Sequence, residues 1–72
     1  MNGTPQTAAA FGAAVKAARK ERGWSQAELG QHAGVSRPTI ARIEQGKDGH
    51  TTVIDKVAAA LGLIVLIQPD EG

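Results

Sequence analysis

Two serines, Ser25 and Ser36, and two histidines, His32 and His50, are the first side chains to weigh for nucleophilic or acid–base chemistry. Such catalysis needs a hydroxyl beside a base that a third group orients, and no spacing among these four residues supports a triad. The histidines sit in polar stretches of a chain with no cysteine and no second ligand at metal-binding spacing. Neither catalytic residue, metal ligand nor cofactor is expected. The chemistry that remains belongs to arginine, whose planar guanidinium donates to two acceptors lying side by side. Arg37 precedes Ile40, and Arg42 falls between Ile40 and Ile43. If this segment is a helix with its isoleucines turned inward, then Arg37, Pro38, Ala41 and Arg42 face outward.

Charge distribution agrees with a recognition surface but does not prove one. The 72-residue chain carries a formal net charge of only +1. Between Lys16 and Lys47, seven basic residues (Lys16, Arg19, Lys20, Arg22, Arg37, Arg42, Lys47) oppose three acids (Glu21, Glu28, Glu44), a local balance of +4. Elsewhere Lys56 opposes Asp48, Asp55, Asp70 and Glu71, a balance of −3. A basic middle and an acidic final third suit one face for phosphate and another for something else. An ordinary solvated surface would also account for them.

These side chains must be held by elements that the punctuation of the sequence marks out. Residues 1–6 are polar, with Gly3 and Pro5, and are expected to be flexible. Thr7 can cap a first helix over about residues 8–22, striped by Phe11, Val15 and Ala18, with Gly23 at its end. Gly12 is a weak point inside it. Ser25 with Glu28 three residues on reads as a capping box, so a second helix should run from Gln26 to Ala33 and bury Ala27, Leu29 and Ala33. Gly34 breaks this second helix and Val35 plugs the turn. Ser36 caps a third helix over about Arg37 to Gln45, where Pro38 is tolerated in a first turn that lacks intrahelical acceptors. After a polar loop, Thr51 or Thr52 should cap a fourth helix that buries Val53, Ile54, Val57, Ala58 and Leu61 before Gly62.

Leu63, Ile64, Val65, Leu66 and Ile67 are five consecutive apolar residues, rich in β-branching and bounded by Gly62 and Pro69. They read as a short buried strand. A lone strand leaves its backbone unpaired, so the same strand of a second copy, antiparallel across a two-fold axis, is the simplest partner. A continuation of the fourth helix is the competing reading. The expected organisation is a domain over residues 7–62, a dimerising strand over 63–67 and a tail over 68–72. A chain this short buries only about 60% of its unfolded surface, which also favours oligomerisation. No run approaches the roughly 18 apolar residues of a membrane span and the first residues lack a signal peptide's pattern, so a cytoplasmic, nucleoid-associated protein without membrane contact is expected.

From Gln26 to Glu44 the residues follow the logic of two helices crossing steeply through a tight turn. Gly30 is the small contact, Gly34 the bend, and Leu29, Ala33, Val35, Ile40 and Ile43 the inner faces. With Trp24-Ser25-Gln26-Ala27-Glu28-Leu29 ahead and Ile43-Glu44-Gln45-Gly46-Lys47 behind, the chain resembles the lambda-repressor-like (XRE-type) helix-turn-helix family from about Thr7 to Leu61. Gly30 stands where that family usually has alanine, which should loosen the second helix. Leu61-Gly62-Leu63 and the apolar run narrow the resemblance to HipB-type antitoxins of toxin–antitoxin modules. The resemblance implies an all-α fold: a lambda-repressor-like bundle of four to five helices with a short C-terminal β-strand that pairs across a homodimer.

What the resemblance implies for the site follows residue by residue. The third helix would enter the major groove of double-stranded DNA with its first residues toward base edges. Arg37 and Arg42 would read bases, since a guanidinium can pair bidentately with guanine O6 and N7, and Pro38 would touch a thymine methyl. For Arg42, a phosphate grip is the competing role. Gln26, at the start of the second helix, would hold a phosphate, with Ser36, Thr39 and Lys47 as further phosphate contacts. Arg19 and Glu44 would form a partly buried structural ion pair bracing the recognition helix. Trp24 could stack on a base, but packing between the first two helices is the stronger expectation.

Function is then expected to be transcriptional repression at a palindromic operator, with a HipA-like Ser/Thr kinase toxin as protein partner. A stand-alone phage or restriction-modification controller is the alternative within the DNA-binding class. A protein-interaction module without DNA binding is the alternative outside it.

Overall fold

The computed structural model describes residues 7–47 and 50–63. Four helices make up the described structure: α1 (Ala8–Glu21), α2 (Gln26–Ala33), α3 (Arg37–Glu44) and α4 (Thr51–Leu61). The first three begin where a side-chain oxygen accepts from a first-turn amide that has no partner inside the helix. Thr7 takes the Ala10 N–H at 3.0 Å. Ser25 takes the Glu28 N–H at 3.0 Å while Glu28 accepts the Ser25 N–H at 2.7 Å, closing a reciprocal capping box. Ser36 takes the Thr39 N–H at 3.3 Å. α4 departs from this pattern. It begins at Thr51 with His50 at its N-cap, so both threonines expected as caps lie inside the helix instead.

Packing joins α3 to both α1 and α2, and α4 closes the bundle beneath α1 and α2. Val15, Leu29, Ile40, Ile43, Val57 and Leu61 form the centre of the core, with Phe11, Ala18, Ala33 and Ala58 around them. Three residues expected inside differ. Ala27 is exposed, because α2 is only two turns long and its inner face is already filled by Leu29 and Ala33. Val53 and Ile54 are half-buried at the start of α4, packed on the edge of the core rather than within it.

Two glycines inside helices owe their identity to backbone approaching from elsewhere. Gly12 faces the last turn of α3, where a Cβ would overlap the Ile43 carbonyl oxygen and come within 3.1 Å of the Glu44 backbone. α1 therefore rests on the end of α3 through a side-chain-free contact. At Gly30 a Cβ would meet the Val35 carbonyl oxygen at 2.7 Å. The backbone of the turn thus passes directly over Gly30, and the glycine lets it fold tightly against α2.

The C-terminal end of α4 bears on the strand expectation. Gly62 donates to Ala59 O at 3.2 Å and Leu63 donates to Ala58 O at 2.9 Å, the two bonds that close a helix in a Schellman turn. Leu63 also packs against the core. Its N–H is thus spent on capping α4, and Leu63 belongs to the helix terminus rather than to a strand. Among the described residues no strand occurs; Ile64, Val65, Leu66 and Ile67 lie outside them.

Candidate nucleic-acid interface

α3 carries Ile40 and Ile43 inward, each at most 1% exposed, and leaves Arg37, Pro38 and Arg42 exposed on the opposite side. Spacing alone produces this division, since residues three and four apart share a helix face. Ser36 and Lys47, at the two ends of the helix, are exposed too, while Thr39 is half-buried with its hydroxyl 2.8 Å from that of Ser36. Lys47 is held by its backbone, whose N–H donates to Arg42 O at 2.9 Å and closes the end of α3.

The first residues of α2 and α3 are brought side by side. Gln26 and Arg37 each open their helix, and Arg37 Nη1 donates to Gln26 Oε1 at 3.0 Å. Gln26 Nε2 in turn donates to Glu44 Oε1 at 3.1 Å. Glu44 also receives Arg19, from Nε at 2.6 Å to Oε2 and from Nη2 at 3.1 Å to Oε1. Arg19 Nη1 donates onward to the Trp24 carbonyl at 2.8 Å. Polar contacts therefore run unbroken from the exposed N-terminus of α3 to the loop after α1. Sequence reasoning placed Arg19 beside Glu44 through a family resemblance; it did not anticipate Gln26 as the bridge between that pair and Arg37. The available signal was that both residues occupy the first position of their helices, eleven residues apart.

Electrostatics in this chain of contacts favour the ionised forms. Burial by itself pushes the Glu44 carboxyl up, but hydrogen bonds from Arg19 and Gln26, with the charges of Arg19 and Lys16, outweigh it and hold Glu44 below its ordinary value. The hydrogen bond to Glu44 raises Arg19 further, against the opposing effect of burial. Side chains of the pair are 10% and 5% exposed, so both charges are largely withdrawn from water and depend on one another.

Trp24 is half-buried and stacks on His32, ring centroids 3.9 Å apart and planes within 11°. The Arg22 guanidinium lies 5.6 Å from the same ring centroid. Trp24 therefore belongs to the packing between the loop after α1 and the end of α2. Arg22, the C-cap residue of α1, has a structural role. Its Nη2 donates to the Leu61 carbonyl at 2.7 Å, satisfying an end carbonyl of α4. Among the described residues no group of three His, Cys, Asp or Glu side chains could hold a metal ion, and no helix is long and apolar enough to cross a membrane.

Against known families, residues 10–64 match the helix-turn-helix domain, a stretch covering most of the chain. The chain belongs to the helix-turn-helix family. No curated protein matches the sequence. As a helix-turn-helix protein it is a DNA-binding regulator, with α2 and α3 as the motif and Gly34, at φ +76°, as the turn between them. The left-handed backbone there is one that L side chains other than glycine adopt only at a cost.

Proposed function

We propose that this helix-turn-helix protein is a sequence-specific repressor that binds a palindromic operator in double-stranded DNA as a homodimer. The observation that carries the reading is the exposed outer side of α3, with Arg37, Pro38 and Arg42 backed by a rigid inner side of Ile40 and Ile43. In this proposal Arg37 and Arg42 pair with base edges and Pro38 lies against a thymine methyl, the contacts that distinguish base pairs in the major groove. Ser36, Thr39, Lys47 and the N-terminus of α2 at Gln26 grip phosphates on either side. The Gln26 amide nitrogen already donates to Glu44, so its phosphate contact rests on its second hydrogen and on the amides of the first turn of α2.

Support for the homodimer comes from the small size of the core and from the apolar run that follows Leu63 in the sequence. Two copies related by a two-fold axis would set their recognition helices about one DNA turn apart, roughly 34 Å. The similarity of Leu61-Gly62-Leu63 and the following apolar residues to HipB-type antitoxins supports the finer role: an antitoxin that represses its own operon and binds a HipA-like Ser/Thr kinase toxin.

Selection from a random-sequence duplex library by the purified protein, followed by binding titrations across a salt series, tests the DNA reading. A palindromic consensus whose affinity falls steeply with salt is the expected result. Equal affinity for unrelated duplexes at every salt concentration would overturn it. Sedimentation of the free protein tests the dimer. Tightening of operator binding by the protein of the adjacent gene, if that protein is kinase-like, tests the antitoxin role; absence of such a neighbour favours a stand-alone controller.

A further inference from the structure

The contacts around Gln26 constrain its side chain more than a packing role requires. An ionised carboxylate only accepts hydrogen bonds, and a guanidinium only donates them. Glu44 sits at one end of the Gln26 amide at 3.1 Å and Arg37 at the other at 3.0 Å. The amide must turn its NH2 to Glu44 and its oxygen to Arg37, and no other orientation satisfies both. Glutamine is the side chain this bridge needs. A glutamate would face the Glu44 carboxylate, a lysine or arginine would face Arg37, and an apolar residue would cut both links.

Glu44 cannot drift to relax this arrangement. Its carboxylate is fixed by two bonds from Arg19, which is fixed in turn by the Trp24 carbonyl. Orientation is therefore handed from a buried ion pair, through one amide, to an exposed guanidinium at the start of the recognition helix. Ordering an arginine before it meets DNA lowers the entropic cost of binding and narrows the set of geometries it can offer a base.

We propose that Glu44 is a positioning residue for Arg37, acting through the amide of Gln26, and that it thereby sets how sharply the protein discriminates at the base pair Arg37 reads. This rests on the reading of Arg37 as a base contact. Glu44 touches no DNA in the proposal; it acts only through the bridge.

Two arms test it. In the first, the full chain and its variants are titrated with the duplex selected from a random library and with duplexes altered at single base pairs. Gln26→Leu leaves Arg19 and Glu44 paired but removes the bridge, and should lower discrimination at the one position affected by Arg37→Ala by about tenfold. Glu44→Gln, which lets the amide of Gln26 turn either way, should lower discrimination at that same position. Neither substitution should change discrimination further when added to Arg37→Ala. Gln26→Leu also removes a phosphate contact and so weakens all duplexes alike, which leaves the ratios between duplexes untouched. Unchanged discrimination at the Arg37 position in both variants, or a change in discrimination that persists in the Arg37→Ala background, would mean a purely structural role and overturn the proposal.

In the second arm the free protein is studied by NMR, with the heteronuclear NOE of the Arg37 Nε–H as the measure of order. Arg37 should be ordered in the parent chain and mobile in both Gln26→Leu and Glu44→Gln, with the backbone amides of α3 unchanged. An Arg37 equally mobile in all three overturns the positioning. A protein that selects no DNA sequence would sink the proposed function and the specificity claim with it, while this arm would still decide whether Glu44 orders Arg37.

Discussion

Arg19 and Glu44, twenty-five residues apart, meet through two hydrogen bonds of 2.6 and 3.1 Å at a point where α1 crosses the end of α3. Their side chains are 10% and 5% exposed, so each charge has given up most of its hydration for the other. Removing one partner strands the remaining charge, which costs about 3–5 kcal/mol in such pairs. Glu44→Ala should therefore lower the melting temperature by 10 °C or more, on the order of 4–8 °C per kcal/mol for a domain of this size. Thermal denaturation followed by circular dichroism measures it; an unchanged melting temperature would show that water replaces the pair without loss.

Because Glu44 titrates below its ordinary value of 4.5 in the folded chain, folding and its ionisation are linked. The unfolded chain binds a proton there more readily than the folded one as pH falls. The stabilisation is accordingly complete well above pH 4.5 and is lost as pH drops through the lower, folded value. Arg19 stays charged throughout this window and adds no titration of its own. Urea midpoints from pH 7 down to pH 3 should fall below about pH 4.5 in the parent chain, and fall less in Glu44→Gln. Parallel curves for the two proteins would assign the acid sensitivity to other carboxylates.

Gly12 tests whether packing or helix propensity governs the middle of α1. Alanine is the better helix former by about 1 kcal/mol, and on that ground alone Gly12→Ala would stabilise. The added methyl, however, overlaps the Ile43 carbonyl oxygen, a backbone atom fixed by its own helix. Overpacking of this kind costs about 1–3 kcal/mol. Net destabilisation is expected from chemical denaturation, and a gain in stability would show that α1 and α3 separate easily.

Substitutions on the outer side of α3 should divide by the kind of contact they remove. Arg37→Ala should cost about 1–3 kcal/mol of discrimination at one base pair and flatten the preference there. Lys47→Ala should weaken all duplexes alike and reduce the slope of log affinity against log salt by about one. Titrations of both variants over the same salt series separate the two. If Lys47→Ala left the slope unchanged, Lys47 would not be at a phosphate.

Much of this architecture was legible in the chain because it is decided within a few residues. Ser25 and Glu28 meet across a single turn, so the capping box and the start of α2 follow from their spacing. The same holds for Ser36 and for the end of α2 at Gly34, and the inward turn of Ile40 and Ile43 follows from helical period alone. The start of α4 was less legible: two adjacent threonines both looked like caps, and nothing local distinguished them from His50.

What local spacing could not supply are the contacts made where elements cross. Gly12 is a liability in a helix read by itself and becomes a requirement only when α3 arrives against it. Trp24 finds His32, and Arg22 finds the Leu61 carbonyl, across distances in sequence that no periodicity predicts. Ala27 looked like core and lies in solvent, because two turns of α2 leave room for only one inner stripe. Leu63 looked like the start of a strand and instead closes α4.

By itself, then, the sequence determined the helices, the caps of α1, α2 and α3 and the outward side of Arg37, Pro38 and Arg42, since these depend on backbone hydrogen bonds and side-chain period over three or four residues. Tertiary structure decided which polar side chains would meet. Gln26 could have reached solvent, a phosphate or a neighbour. Only the crossing of α2 over α3 sets its amide between Glu44 and Arg37, because that contact depends on the angle and distance between whole helices.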